Sequence, residues 1–95
     1  MNIRVSKEFE KSAKKLSGKY KESLKNVVSE IRTANSINDI GNCIKLAGYD
    51  TVYRVRMGSY RIFFLLEIRE QTAYLKYLVS RGEAYSKEYQ HKLDR

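Results

Sequence analysis

The stretch from Cys43 to Ser80 constrains the fold more than any other part of the chain. It is rich in β-branched, aromatic and aliphatic residues, and they alternate with polar ones at period two, the pattern of half-buried strands. Within it, Gly58-Ser59 separates "YRVRM" from "YRIFFLLEIR". A two-residue connection with glycine first suits a type II′ hairpin turn. That turn fixes a register: Met57 opposite Tyr60, Arg56 opposite Arg61, and Arg54 opposite Phe63. Side chains alternate across a strand, so Arg54, Arg56 and Arg61 share one sheet face. Tyr53, Val55, Met57, Tyr60, Ile62, Phe64, Leu66 and Ile68 share the other, which is the expected core.

A second turn is expected at Glu70-Gln71 or its neighbours. Pairing Arg69 with Thr72 sets Ile62 opposite Val79, Phe64 opposite Tyr77 and Leu66 opposite Leu75, an apolar match at each step. The same register sets Arg61 opposite Ser80, with Arg81 following at the strand end. The expectation is a cluster of Arg54, Arg56, Arg61 and Arg81 on the sheet face away from the core. Like charges directly opposite one another on neighbouring strands are unfavourable by some tenths of a kcal/mol. An anion that habitually sits there would offset this. An exposed face solvated by long cationic side chains is an equally good reading of spacing by itself.

The N-terminal half has a different period. "NIRV" suits a short strand. Ser6 is placed to cap a helix, with Glu8 in its first turn and Phe9, Ala13 and Leu16 at helical spacing. Gly18 is expected to stop that helix. A second helix follows from about Tyr20 to Ala34, with Tyr20, Leu24, Val27, Val28 and Ile31 as its apolar stripe. Lys7, Lys11, Lys14, Lys15, Lys19, Lys21 and Lys25 fall on outer faces. Residues 35–42 read as a polar loop pinned by Ile37 and Ile40. The end of the chain, "EAYSKEYQHKLDR", reads as a short polar helix. The expected order is β-α-α-β-β-β-α. The expected class is α+β: an antiparallel sheet of about four strands backed by the helix pair. The 95 residues are enough for one domain, 1–95.

Lys and Arg number 19 against 11 Asp and Glu, a formal net charge of +8. This charge points to a polyanionic partner rather than to solubility, which is usually served by more evenly mixed signs. Cys43 is the sole cysteine, so no intramolecular disulfide framework is available and a reducing, cytoplasmic setting is expected. The N-terminus turns charged almost at once, and no apolar run has the length of a membrane span, so no membrane role is expected.

The sequence holds no Gly-rich phosphate loop, HExxH or GxSxG. Cys43 has no CxxC partner, and His91 lies in the polar C-terminal segment, so no metal and no cofactor is expected. Glu67 and Glu70 form no evident carboxylate pair. One reaction class nevertheless runs on arginine and tyrosine. RNA carries its own nucleophile, the 2′-OH, and its cleavage needs stabilisation of the charge growing on the phosphate and a proton for the leaving oxygen. Guanidinium groups bind two phosphate oxygens at once. Tyr85 lies four residues after Arg81 and could join the cluster at a strand-to-helix corner. Packing of the last helix is the simpler reading of Tyr85.

"LAGYDTVYRVRMGSYRIFF", followed by "LVSRGEAY", resembles the RelE/ParE superfamily of toxins, and is most similar to its RelE-like branch. The resemblance covers nearly the whole chain. It implies a metal-independent, ribosome-dependent endoribonuclease that cleaves mRNA in the A site and inhibits translation. It implies a cognate antitoxin, and mRNA and the ribosome with its 16S rRNA, as partners. By the same resemblance Arg56, Arg61, Arg81 and Tyr85 are catalytic, with Tyr89 the fallback for Tyr85. Arg54, Lys45 and Lys76 bind RNA phosphates, and Lys11, Lys14 and Lys15 are available to rRNA. The sequence departs from several relatives in having Ser80 where they carry a histidine, and arginine where some carry hairpin lysines. Arginine is a poor base. Two alternatives stay open: a ParE-like poison of DNA gyrase, and a non-catalytic RNA- or protein-binding member of the fold.

Overall fold

The structure is a computed structural model that describes residues 1–84. Tyr85, Tyr89 and His91 lie outside the described residues. The element order is β1 (Asn2–Val5), α1 (Lys7–Lys14), α2 (Gly18–Thr33), a 3₁₀ turn (Ile37–Asp39), β2 (Cys43–Lys45), β3 (Val52–Met57), β4 (Tyr60–Glu67), β5 (Thr72–Ser80) and α3 (Arg81–Ala84). The five strands form one sheet in the order β1-β5-β4-β3-β2. β1 runs parallel to β5, and the remaining neighbours are antiparallel. This is the expected α+β class with one more strand. The sequence between Cys43 and Met57 is broken by Gly48, at φ 84°, and so yields two strands instead of one. Among the described residues no helix is long and apolar enough to cross a membrane.

Ser6 caps α1 as its position demands, its Oγ accepting the Phe9 N–H at 3.0 Å. Gly18 does not stop the helix. α1 ends at Lys14, and Gly18 opens α2 after an extended Ser17. The reason is Leu16, only 5% exposed: it is drawn into the core at the corner and ends α1 early. Ile31 of α2 is fully buried, and Ile37 and Ile40 pin the following loop onto the same core.

The first hairpin has the expected register throughout, from Val52↔Leu65 to Met57↔Tyr60. Gly58 is at φ 58° and Ser59 is not at positive φ, which matches type II′. The second hairpin departs from expectation. β4 stops at Glu67, which pairs with Thr72, so Arg69 and Thr72 are not partners. Residues 68–71 form the connection, closed by the Gln71 N–H on the Ile68 carbonyl at 3.2 Å with Gln71 at φ 47°. Ile68 is therefore off the sheet and 72% exposed, not in the core.

A β-bulge then inserts Lys76: Phe64 faces Leu75, and Phe63 faces Tyr77. The bulge has a built support. Ser6 Oγ donates to the Lys76 carbonyl at 2.5 Å, and the Ser6 N–H donates to Leu75 at 3.0 Å. Beyond the bulge every β5 side chain changes face relative to the expected pairing. Leu78 packs in the helix-side core with Ile62, Phe64, Leu75 and Val55, whereas Tyr77 and Val79 lie on the other face. There, Val52, Phe63 and Val79 form a second small cluster, covered in part by Leu46 and Tyr49 from the β2–β3 connection.

Candidate nucleic-acid interface

The tip of the β3–β4 hairpin is braced from the helix side. Tyr20 of α2 stands edge-on to Tyr60, with ring centroids 4.8 Å apart, and its hydroxyl lies 3.4 Å from Ser59 Oγ. A Cβ on Gly58 would come within 3.3 Å of the Tyr20 ring, a tight contact, at a positive φ that L side chains rarely adopt. The strand-to-helix corner joins the same tip, since the Arg81 N–H donates to the Ser59 carbonyl at 2.7 Å. Helix α2, the β3–β4 hairpin and the β5–α3 corner therefore meet at residues 58–60.

On the opposite face the tip carries the arginines. Arg56 and Arg61 are direct cross-strand partners, and Arg54 follows on the same face opposite Phe63. Their environments differ. Arg56 is exposed, Arg54 half-buried, and Arg61 only 3% exposed. Arg61 turns back along its own hairpin, and its Nη1 donates to the carbonyls of Gly58 and Tyr60, both at 2.9 Å. Those carbonyl dipoles answer the repulsion from Arg56. The Nε atoms of Arg54 and Arg61 are both buried without an acceptor. Among the described residues, the sole carboxylate within 4 Å of an arginine or lysine is Glu67, at 3.8 Å from Arg4, away from the tip. Buried guanidinium donors normally have partners. The tip is thus a concentration of positive charge with donor capacity to spare, suited to oxyanions.

Arg81, exposed, joins this group at Ser59 through its backbone. Its expected neighbour relation is shifted: Arg61 pairs with Val79, and Ser80 pairs with Tyr60 on the helix side. Lys15, exposed at the end of α1, lines a cavity of about 330 Å³ with Ser12, Tyr60 and Ser80, beside the tip. Lys11 and Lys14 are exposed along α1. Lys45 is not brought to the arginines. It pairs with Tyr53, which packs toward the helix-side core, so Lys45 belongs to the other face. Lys76 lies at the bulge on the outer face, its Nζ 4.6 Å from the Tyr74 ring centre. Tyr85 lies outside the described residues.

Burial, and secondarily Glu30, push the Cys43 thiol up to about 11, so it is neutral and unreactive at physiological pH. Among the described residues no three acidic, cysteine or histidine side chains converge as metal ligands do. Helical spacing places Tyr20 in an apolar stripe and does not show its brace on the hairpin tip. The signal for it was the Gly58-Ser59 turn, short enough to lean on a neighbour.

No protein-family model matches the chain. Among solved structures, a chain of the RelB-RelE antitoxin-toxin complex from Methanococcus jannaschii superposes with a TM-score of 0.73 at 27% identity, covering 87% of this chain and 95% of that one. The intact Escherichia coli RelBE toxin-antitoxin complex contains the same fold, with a TM-score of 0.69 at 20% identity over 83% of this chain and 94% of that one. In sequence, Toxin RelE3 of Methanocaldococcus jannaschii is 31% identical over 86 residues, 90% of this chain and 96% of that protein. With likeness in sequence and fold running nearly end to end, the chain belongs to the RelE toxin family.

Proposed function

We propose that this RelE toxin, a single domain over residues 1–95, acts in the cytoplasm as a ribosome-dependent endoribonuclease. It cleaves mRNA in the A site without a metal, inhibits translation, and is held in check by a cognate antitoxin. The observation that carries this reading is the hairpin tip, where Arg54, Arg56 and Arg61 share one face, the Nε donors of Arg54 and Arg61 are buried and unused, the Arg81 backbone is tied to Ser59, and no carboxylate lies within 4 Å among the described side chains. Such a tip favours a phosphorane-like dianion over a ground-state phosphodiester, because its donors await added negative charge. Arg56 and Arg81, both exposed, are the first to meet the scissile phosphate. Arg61 reaches it by leaving the Gly58 and Tyr60 carbonyls, which swings its buried guanidinium out to the phosphate. Lys11, Lys14 and Lys15 contact rRNA, and Tyr85 protonates the leaving oxygen. Guanidinium groups stay protonated, so these arginines supply charge stabilisation and not the base.

The burial of Arg61 favours a second reading, phosphate binding without cleavage. One experiment separates the two. Expression of the protein in growing cells is expected to arrest growth, with truncated mRNA, and co-expression of the neighbouring antitoxin gene to restore it. Arg61→Ala is expected to remove toxicity. A folded Arg61→Ala protein that remains fully toxic sinks the catalytic assignment.

A further inference from the structure

The outer sheet face has a second cationic site that the arginine tip does not include. Tyr74 of β5 pairs on one side with Arg4 of β1 and on the other with Leu65 of β4. Two cations converge on its ring: the Arg4 guanidinium carbon is 4.9 Å from the centroid and Lys76 Nζ is 4.6 Å. Two like charges sharing one ring are stable because the ring quadrupole attracts both. Glu67 offsets part of the Arg4 charge, but at 3.8 Å between half-open side chains that pair is weak. The patch therefore retains net positive charge, and its cations are held in place by an aromatic scaffold.

The bulge creates this arrangement. Without the inserted Lys76, alternation could not set Tyr74 and Tyr77 on the same face three positions apart. Between patch and tip, half-buried Leu65 and Tyr77 offer apolar and aromatic contact, packed against the buried Phe63 and Val79. Tyr74 pairs with Leu65, four positions along β4 from Arg61, so the two sites are about 14 Å apart. At about 3.4 Å per stacked nucleotide that is about four nucleotides, and fewer in an extended strand.

We propose that Arg4 and Lys76, ordered by Tyr74, form a second phosphate-binding subsite for single-stranded RNA, a few nucleotides from the arginine tip, with bases lying over Leu65 and Tyr77. The inference rests on the proposed RNA-cleaving function, and its test separates the two. The full-length protein is titrated with a fluorescent dinucleotide and a fluorescent octanucleotide of single-stranded RNA over a range of salt. The double variant Arg4→Ala/Lys76→Gln is expected to bind the octanucleotide several-fold more weakly. Two lost phosphate contacts should flatten its log K against log[salt] slope by about 1.4. Dinucleotide binding should not change, and Tyr74→Phe, which keeps the ring, should match the parent while Tyr74→Leu follows the double variant. Unchanged octanucleotide affinity and slope in the double variant overturn the subsite. If Arg54→Ala/Arg56→Ala weakens binding in that case, the tip survives as the RNA site. If the parent protein binds neither oligonucleotide, the subsite is overturned, whereas the ribosome-dependent function stands or falls on mRNA cleavage by translating ribosomes.

Discussion

The two faces of the sheet are built from the same strands by alternate residues, yet they are organised on different principles. The helix-side face is a continuous apolar core in which Phe64, Ile62, Leu75 and Val55 are all but fully buried. The outer face is divided: a small apolar cluster around Phe63, a cationic aromatic patch at Tyr74, and the arginine tip. On the first face each side chain is satisfied by its neighbours. On the second, the Nε donors of Arg54 and Arg61 are not. Stability is therefore concentrated on one face and unused binding capacity on the other, and substitutions should separate the two.

The largest expected effect falls on the packed face. Phe64→Ala removes a side chain with no exposure and should cost about 3–5 kcal/mol, read as loss of the cooperative unfolding transition or a much lower denaturation midpoint. On the other face the sign reverses. Arg56→Ala should lower mRNA cleavage about 100-fold or more while leaving stability unchanged or raised by a few tenths of a kcal/mol, because it relieves the repulsion with Arg61. A drop in stability comparable to that of Phe64→Ala would erase the distinction between the faces.

Ser6→Ala and Gly58→Ala probe the joints that hold the faces in relation to one another. Ser6→Ala removes both the α1 cap and the donor to the bulge carbonyl, and should cost about 1–2 kcal/mol in denaturant unfolding. Gly58→Ala meets the Tyr20 ring at a positive φ and should cost about 1 kcal/mol or more, with a further fall in cleavage as the tip shifts. The smallest effect concerns Cys43. Burial raises its thiol pKa from the ordinary value to about 11, so the folded chain holds the proton more tightly than the unfolded one. The resulting stability contribution is intact below about pH 9 and is lost as pH rises toward 11. Alkylation of the native thiol should be slow at pH 8 and accelerate through that window.

The sequence made the first hairpin legible because a glycine-led two-residue turn fixes register, and register assigns every side chain to a face. That reasoning put Arg54, Arg56 and Arg61 together correctly. It failed on β5 because a bulge has no local signature: Lys76 is an ordinary strand residue, and its extra place depends on Ser6, seventy positions away along the chain. Tyr77 and Val79 were accordingly assigned to the wrong face, and Arg61 to the wrong partner. Gly18 misled for a related reason. Glycine permits a helix stop, but the burial of Leu16 decided where the chain turned. The fold-back of Arg61 onto its own turn carbonyls was also beyond sequence reasoning, since alternation gives a residue's face and not its rotamer.

Primer extension on an mRNA translated in vitro with purified protein reads out whether the hairpin tip cleaves mRNA on the ribosome. Cuts within codons at the A site are expected, absent with a folded Arg56→Ala/Arg81→Ala variant. Intact mRNA on stalled ribosomes at excess protein would contradict cleavage by the tip.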